Sequence, residues 1–217
     1  GKYALALESF QRLEEKFPRE PQSKDAAFKI IECLYNLKEY SELISRIKPY
    51  FKLYANDALR LPYLYFYLAE SDYYLNDFKE AAGNYLKSSQ VTVDDKVRGL
   101  AKLGLAWSYL KLKKYKDAEE VFTEIKQSSL DRKSMDILLL GQAVLMFQTN
   151  RAYESKEIYD QLISVSSDPL VLAQAYLGKA DALYNLAEYV QAAKVYKDGL
   201  DKVKKASATE EIIDKLR

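Results

Sequence analysis

The sequence predicts an all-α protein, a solenoid of antiparallel helix pairs, and three observations carry that prediction. Apolar residues recur at helical spacing: Leu105, Ala106, Tyr109 and Leu112 make one stripe, and Tyr115, Ala118, Phe122 and Ile125 make a second, with the Lys113-Lys114 turn between them. Neither helix can bury its stripe alone, so the unit requires neighbours. The unit also repeats. The residue that follows each turn is Tyr3, Tyr40, Phe78, Tyr115, Ala152 or Tyr189, at intervals of 37, 38, 37, 37 and 37 residues, a period of the kind that marks a helical array. Finally, seven Gly and five Pro in 217 residues are too few for a sheet-rich or linker-rich chain.

The elements follow in order. Residues 3 to 17 read as a lone second helix with Leu7, Phe10, Leu13 and Phe17 on its apolar face, ended by Pro18 and Pro21. Five full repeats are expected over residues 24–60, 61–97, 98–134, 135–169 and 170–206, after a half repeat over 1–20. Pro49 should kink or shorten the second helix of the first full repeat, which also carries Leu43 where other repeats have a small residue. Pro62 opens the next repeat at a favourable first helical turn. The run ILLLGQAVLMF, residues 137–147, is apolar on nearly every side and should be buried on most of them. The SSDPL segment offers Ser166, Ser167 or Asp168 as a helix cap. Lys202 to Ser207 reads as a polar connector into a truncated helix over 208–217, with Ile212, Ile213 and Leu216 on its apolar face. Because the chain starts and stops within repeats, it reads as a fragment of a longer array.

Positions of like type recur within the pairs. Three residues after each landmark stand Ala6, Leu43, Ala81, Ala118, Ser155 and Ala192, and four further on Phe10, Ile47, Tyr85, Phe122, Tyr159 and Tyr196. In the first helices the small position is Ala69, Ala106, Ala143 and Ala180, with Ile31 the exception. Gly104, Gly141 and Gly178 share another position. Mid-helix Gly costs about 1 kcal/mol against Ala, so three in register call for a close approach, expected between neighbouring first helices or, alternatively, by a ligand backbone on a flat strip.

On these residues the chain resembles the tetratricopeptide repeat family. Tyr115, Ala118 and Phe122, and again Tyr189, Ala192 and Tyr196, carry its second-helix pattern. The resemblance implies a right-handed superhelix whose first helices line a concave groove. Carried onto this chain, the groove comprises Phe28, Glu32 and Tyr35; Tyr63, Phe66, Glu70, Tyr73 and Tyr74; Leu103, Trp107 and Leu110; Leu140, Val144 and Phe147; and Leu177, Asp181 and Tyr184. Phe66, Tyr73 and Trp107 are the expected anchors. Family members that clamp a peptide C-terminus use Lys, Asn and Arg on this face, whereas this chain shows apolar and aromatic residues. The segment FPREPQSKDAA, residues 17–27, is similar to repeat joints of bacterial cell-envelope members, which implies a periplasmic or envelope setting.

Composition narrows the function classes. Thirty-three basic and 32 acidic residues give a net charge of +1, so nothing draws the chain toward nucleic acid or an anionic membrane. No histidine is present, which removes the commonest general base and metal ligand. The acidic neighbours Glu14-Glu15, Asp94-Asp95 and Glu119-Glu120 point to different helix sides, and no Gly-rich phosphate loop occurs. Lys111, Lys113, Lys114 and Lys116 read as a solvated turn, and Cys33 as a buried helix residue. The apolar run 137–147 is about half the ~20 residues a spanning helix requires. The expectation is a non-catalytic scaffold with no cofactor or metal, binding a segment of another protein in an aromatic groove. The alternative is an architectural module that assembles with its own copies.

Overall fold

The computed structural model describes residues 1–18 and 20–205. Those residues hold eleven α-helices and no strand: α1 (Lys2–Lys16), α2 (Pro21–Asn36), α3 (Tyr40–Leu53), α4 (Leu61–Tyr74), α5 (Phe78–Val91), α6 (Asp95–Lys111), α7 (Tyr115–Thr123), α8 (Arg132–Gln148), α9 (Ala152–Val165), α10 (Pro169–Asn185) and α11 (Tyr189–Lys205). Each second helix opens on a landmark residue: Tyr40, Phe78, Tyr115, Ala152 and Tyr189.

First helices begin earlier than the sequence boundaries suggest, α6 at Asp95 and α8 at Arg132. Capping is the reason. Asp94 accepts hydrogen bonds from the backbone N–H groups of Lys96 and Val97, and Asp131 accepts one from Ser134. Asp168 caps α10 in the same way, through Leu170 and Val171. Ser166 does something else: its hydroxyl donates to Asp136 Oδ2 at 2.6 Å.

Three local expectations change. Phe17 is the exposed C-cap of α1 and not part of its apolar face, because the backbone leaves the helix there. Pro49 lies inside α3, yet α3 keeps 14 residues, as α5 and α9 do. Proline removes one N–H donor, and the buried Leu43, Ile47 and Tyr50 hold the helix around that gap. The connector expected from Lys202 is helical through Lys205, and the expected helix over 208–217 falls outside the described residues.

The turns inside the pairs share one geometry. Lys38, Asn76, Lys113, Asn150 and Ala187 all have positive φ, between 57° and 66°. Each stands two residues before a landmark. The N–H of Lys113 bonds to Leu110 O and that of Lys114 to Tyr109 O, and the other four turns repeat this pairing. These are Schellman closures, which satisfy the last carbonyls of the first helix.

The chain divides into two compact units, Gly1–Lys114 and Tyr115–Arg217. In the first, consecutive helices from α1 to α6 pack on one another, and α4 also touches α2 and α6. In the second, α7 to α11 pack consecutively and α8 touches α10. The small positions Ala69, Ala106, Ala143 and Ala180, and their counterparts Ala81, Ala118, Ser155 and Ala192, are all buried. Ile31 and Leu43 are buried too, inside one apolar cluster with Phe28, Leu34, Ile47 and Tyr54.

The glycines serve a different neighbour from the one expected. A Cβ on Gly104 would overlap the ring of Tyr85 from the preceding second helix, and a Cβ on Gly178 would overlap Tyr159. Close approach is therefore between a first helix and the second helix before it. The run 137–147 is packed as expected: Leu138, Leu139, Leu140, Gly141, Ala143 and Leu145 are buried.

Candidate functional site

In the first unit the predicted aromatic residues of α2 and α4 meet one another and rings of α3 and α5. Phe28 lies 6.4 Å from both Tyr63 and Tyr67, and Tyr35 lies 4.9 Å from Tyr67. Phe66 meets Tyr67 at 6.1 Å and Tyr85 at 5.9 Å. Tyr73 sits edge-on to Tyr74 and to Phe78, and Tyr74 stacks on Tyr40 at 4.8 Å with planes 6° apart. Such ring pairs contribute about 0.5–1.5 kcal/mol each beyond the area they bury.

Exposure sorts the predicted residues. Phe28, Leu103, Leu110 and Leu140 are buried, so they form interior and offer a partner almost no surface. Tyr35, Tyr63, Phe66, Tyr73, Trp107, Val144, Phe147 and Leu177 are half-buried. Tyr74 is 56% exposed and Tyr184 61%. In the second unit Tyr184 meets Tyr189 edge-on at 5.1 Å.

Glu70 organises the electrostatics of α4. Its Oε2 accepts from the Tyr35 hydroxyl at 3.0 Å, and its Oε1 accepts from the hydroxyl of Tyr85. Burial raises the pKa of this carboxyl, and the two hydroxyl donors oppose the rise. Burial and then the Glu70 charge push Tyr35 upward, and Tyr73 to about 12. Tyr67 is raised by burial and by Glu32, and Tyr63 by burial, Asp94 and Glu32. These phenols stay protonated at neutral pH. The face therefore offers ring surfaces, hydroxyl donors and carboxyl groups.

Other chemistry finds little footing. No cluster of metal-ligating side chains occurs among the described residues. Burial raises the Cys33 thiol, which makes it inert. Lys111, Lys113, Lys114 and Lys116 are exposed, as a solvated turn requires. Two shallow depressions lie elsewhere. One of about 460 Å³ is lined by Lys24, Lys52 and the loop at Ala55–Leu59, the other of about 630 Å³ by Asn150–Glu154, Asn185 and Leu186. Among the described residues no helix is long and apolar enough to cross a membrane.

Residues 67–131, which run from within α4 past the end of α7, match the sequence profile of the tetratricopeptide repeat. No curated protein matches the chain. Solved structures share its fold at low identity. A tetratricopeptide repeat protein from Parabacteroides merdae is 16% identical with a TM-score of 0.70, covering 99% of this chain and 90% of its own. BtubC from P. vanneervenii is 13% identical with a TM-score of 0.74, covering 95% and 89%. The apo form of RapI is 14% identical with a TM-score of 0.71, covering 99% of this chain and 68% of its own.

Tyr67 is central to the ring cluster, yet the sequence does not single it out, because it stands where later repeats carry Gly104, Gly141 and Gly178. Glu70 and Asp181 were expected to face a partner. Each also holds a tyrosine hydroxyl of its own repeat, Glu70 that of Tyr85 and Asp181 that of Tyr196, each 15 residues away. An acid followed by a tyrosine at that recurring separation was the available signal.

Proposed function

We propose that this chain is a non-catalytic scaffold that holds a segment of another protein on the aromatic face of α2 and α4. One observation carries the reading: the rings of Tyr35, Tyr63 and Phe66 each rest on Tyr67, and Tyr74 rests on Tyr40 and Tyr73, yet all of them leave part of their surface open. Rings already fixed in place lose little conformational freedom on binding, and large aromatics dominate interface energetics once desolvated. The tetratricopeptide repeats of residues 67–131 support a protein partner. The half-buried Trp107 extends the set along α6 of the same unit.

The test is a random peptide library displayed on phage, selected on the whole chain. Peptides that bind are measured by fluorescence anisotropy against wild type and Phe66→Ala/Tyr74→Ala, with matched circular dichroism. Loss of about 2 kcal/mol, roughly thirtyfold in affinity, is expected. Equal affinity for the double variant moves the function away from this face.

A further inference from the structure

We infer that this face selects positively charged segments, taking an Arg or Lys side chain against the tyrosine rings between Glu32 and Glu70. The inference rests on the reading above and adds the chemistry of the partner. The centre of the face is made of Tyr35, Tyr63 and Tyr67, with Tyr74 at its open edge. The faces of such rings are electron-rich and attract cations, by about 0.5–1 kcal/mol at exposed sites and more once water is excluded. Acids adjoin these rings: the Tyr35 hydroxyl donates to Glu70 at 3.0 Å, Glu32 stands one turn from Phe28 and from Tyr35 on α2, and Tyr74 stands one turn from Glu70 on α4. After burial, the Glu32 charge raises the pKa of Tyr67, and the Glu70 charge that of Tyr35 and Tyr74.

Each acid is fixed in place. Glu70 is held by two tyrosine hydroxyls, which leave its remaining lone pairs free to accept. Asp94 is locked as the cap of α6. Glu32 pairs with Lys29 at 2.6 Å, but Lys29 is half exposed and an i,i+3 surface pair of this kind is weak. A guanidinium arriving from a partner can displace it and meet Glu32 in a bidentate pair while its plane lies on a ring. An acidic segment would bring its charge beside Glu32 and Glu70 and be repelled. Overall charge contributes nothing to this choice, since the chain carries only +1.

The test uses three synthetic peptide pools of equal length and apolar content that carry Arg, Gln or Glu at the same alternate positions. Their binding to the whole chain is read by fluorescence anisotropy at low and high salt. The Arg pool is expected to bind about tenfold more tightly than the Gln pool, and the Glu pool more weakly than either. Glu32→Gln and Glu70→Gln should each reduce the Arg preference and its salt dependence. Glu32→Gln is the informative variant if Glu70→Gln proves unstable, because Glu32 holds only a surface pair. Equal binding of the Arg and Gln pools, both weakened by Phe66→Ala/Tyr74→Ala, overturns the charge preference and leaves the aromatic face standing. Arg-pool binding that ignores both Glu32→Gln and Tyr74→Ala overturns the inference, as does absence of Arg-pool binding. Pools indifferent to Phe66→Ala/Tyr74→Ala remove the proposed face altogether.

Discussion

Tyr85 ties three helices together with one side chain. It is buried in α5, its hydroxyl donates to Glu70 of α4, and its ring occupies the space that a Cβ on Gly104 of α6 would fill. Gly104→Ala should therefore destabilise the chain by about 1–3 kcal/mol, less the ~1 kcal/mol that Ala gains over Gly as a helix former. Denaturant melts check this, and the Tyr85→Leu background supplies the control. There the same substitution should become neutral or stabilising, so an additive pair would separate the glycine from the ring. A second residue-scale prediction concerns Ala187, which sits at φ 62°. Left-handed geometry costs an L-residue about 1–2 kcal/mol. Ala187→Gly should raise stability by about 0.5–1 kcal/mol after the extra freedom that glycine gives the unfolded chain. Asn150→Gly should gain less, because asparagine tolerates that conformation. A fall in melting midpoint for Ala187→Gly would contradict the closure seen in the turn.

Helices were legible in the sequence because their signal is redundant: the stripes, the small positions and the landmarks all report the same pairing. Turn conformation was not, since Lys38, Lys113 and Ala187 occupy left-handed positions that only Asn76 and Asn150 hint at. Which of the predicted groove residues are interior was likewise hidden. Periodicity marks which side of a helix is apolar, but it does not say whether Phe28, Leu103, Leu110 and Leu140 meet neighbours of the same chain or a partner. Asp72 shows the same gap at the α4–α5 contact. It is buried, accepts from Asn84 Nδ2 at 2.8 Å, and its pKa is pushed up to about 6, first by burial and then by Asp77 and Glu80, against the opposing Asn84 bond. A raised folded-state pKa means that stability is full below the unfolded value near 4 and is lost as pH climbs through about 6. Asp72→Asn should keep the Asn84 bond, stabilise the chain at pH 7 by about 1 kcal/mol or more, and flatten the pH dependence between about 4 and 6. Melts across that range decide the matter, and an unchanged slope would show that Asp72 does not carry it.

At the scale of the whole chain, a helical repeat protein holds its helices by contact with immediate neighbours, so local stability follows local packing. The described helices differ widely in this respect. α5 and α10 are packed on both sides, α6 packs on α5 and α4, and all three bury many residues, whereas α1 buries none in full. α7 is the shortest α-helix described, nine residues with only Ala118 and Phe122 buried. α3 keeps its length, but Pro49 leaves one carbonyl of the preceding turn without its usual donor. Native-state hydrogen exchange should therefore find α1, α3 and α7 opening at lower free energy than α5, α6 and α10. Residues 24–60 should exchange faster than residues 99–200 as a whole, with α7 the exception inside the second span. Within α3 the weakest amides should flank Pro49, while Leu43 and Ile47, both fully buried in the apolar cluster, should hold longer. Protection of α7 equal to that of α6 would mean that its short helix draws stability from packing beyond its own buried pair. Uniform exchange across all eleven helices would mean that the chain opens as one cooperative block, and nearest-neighbour packing would then not set local stability.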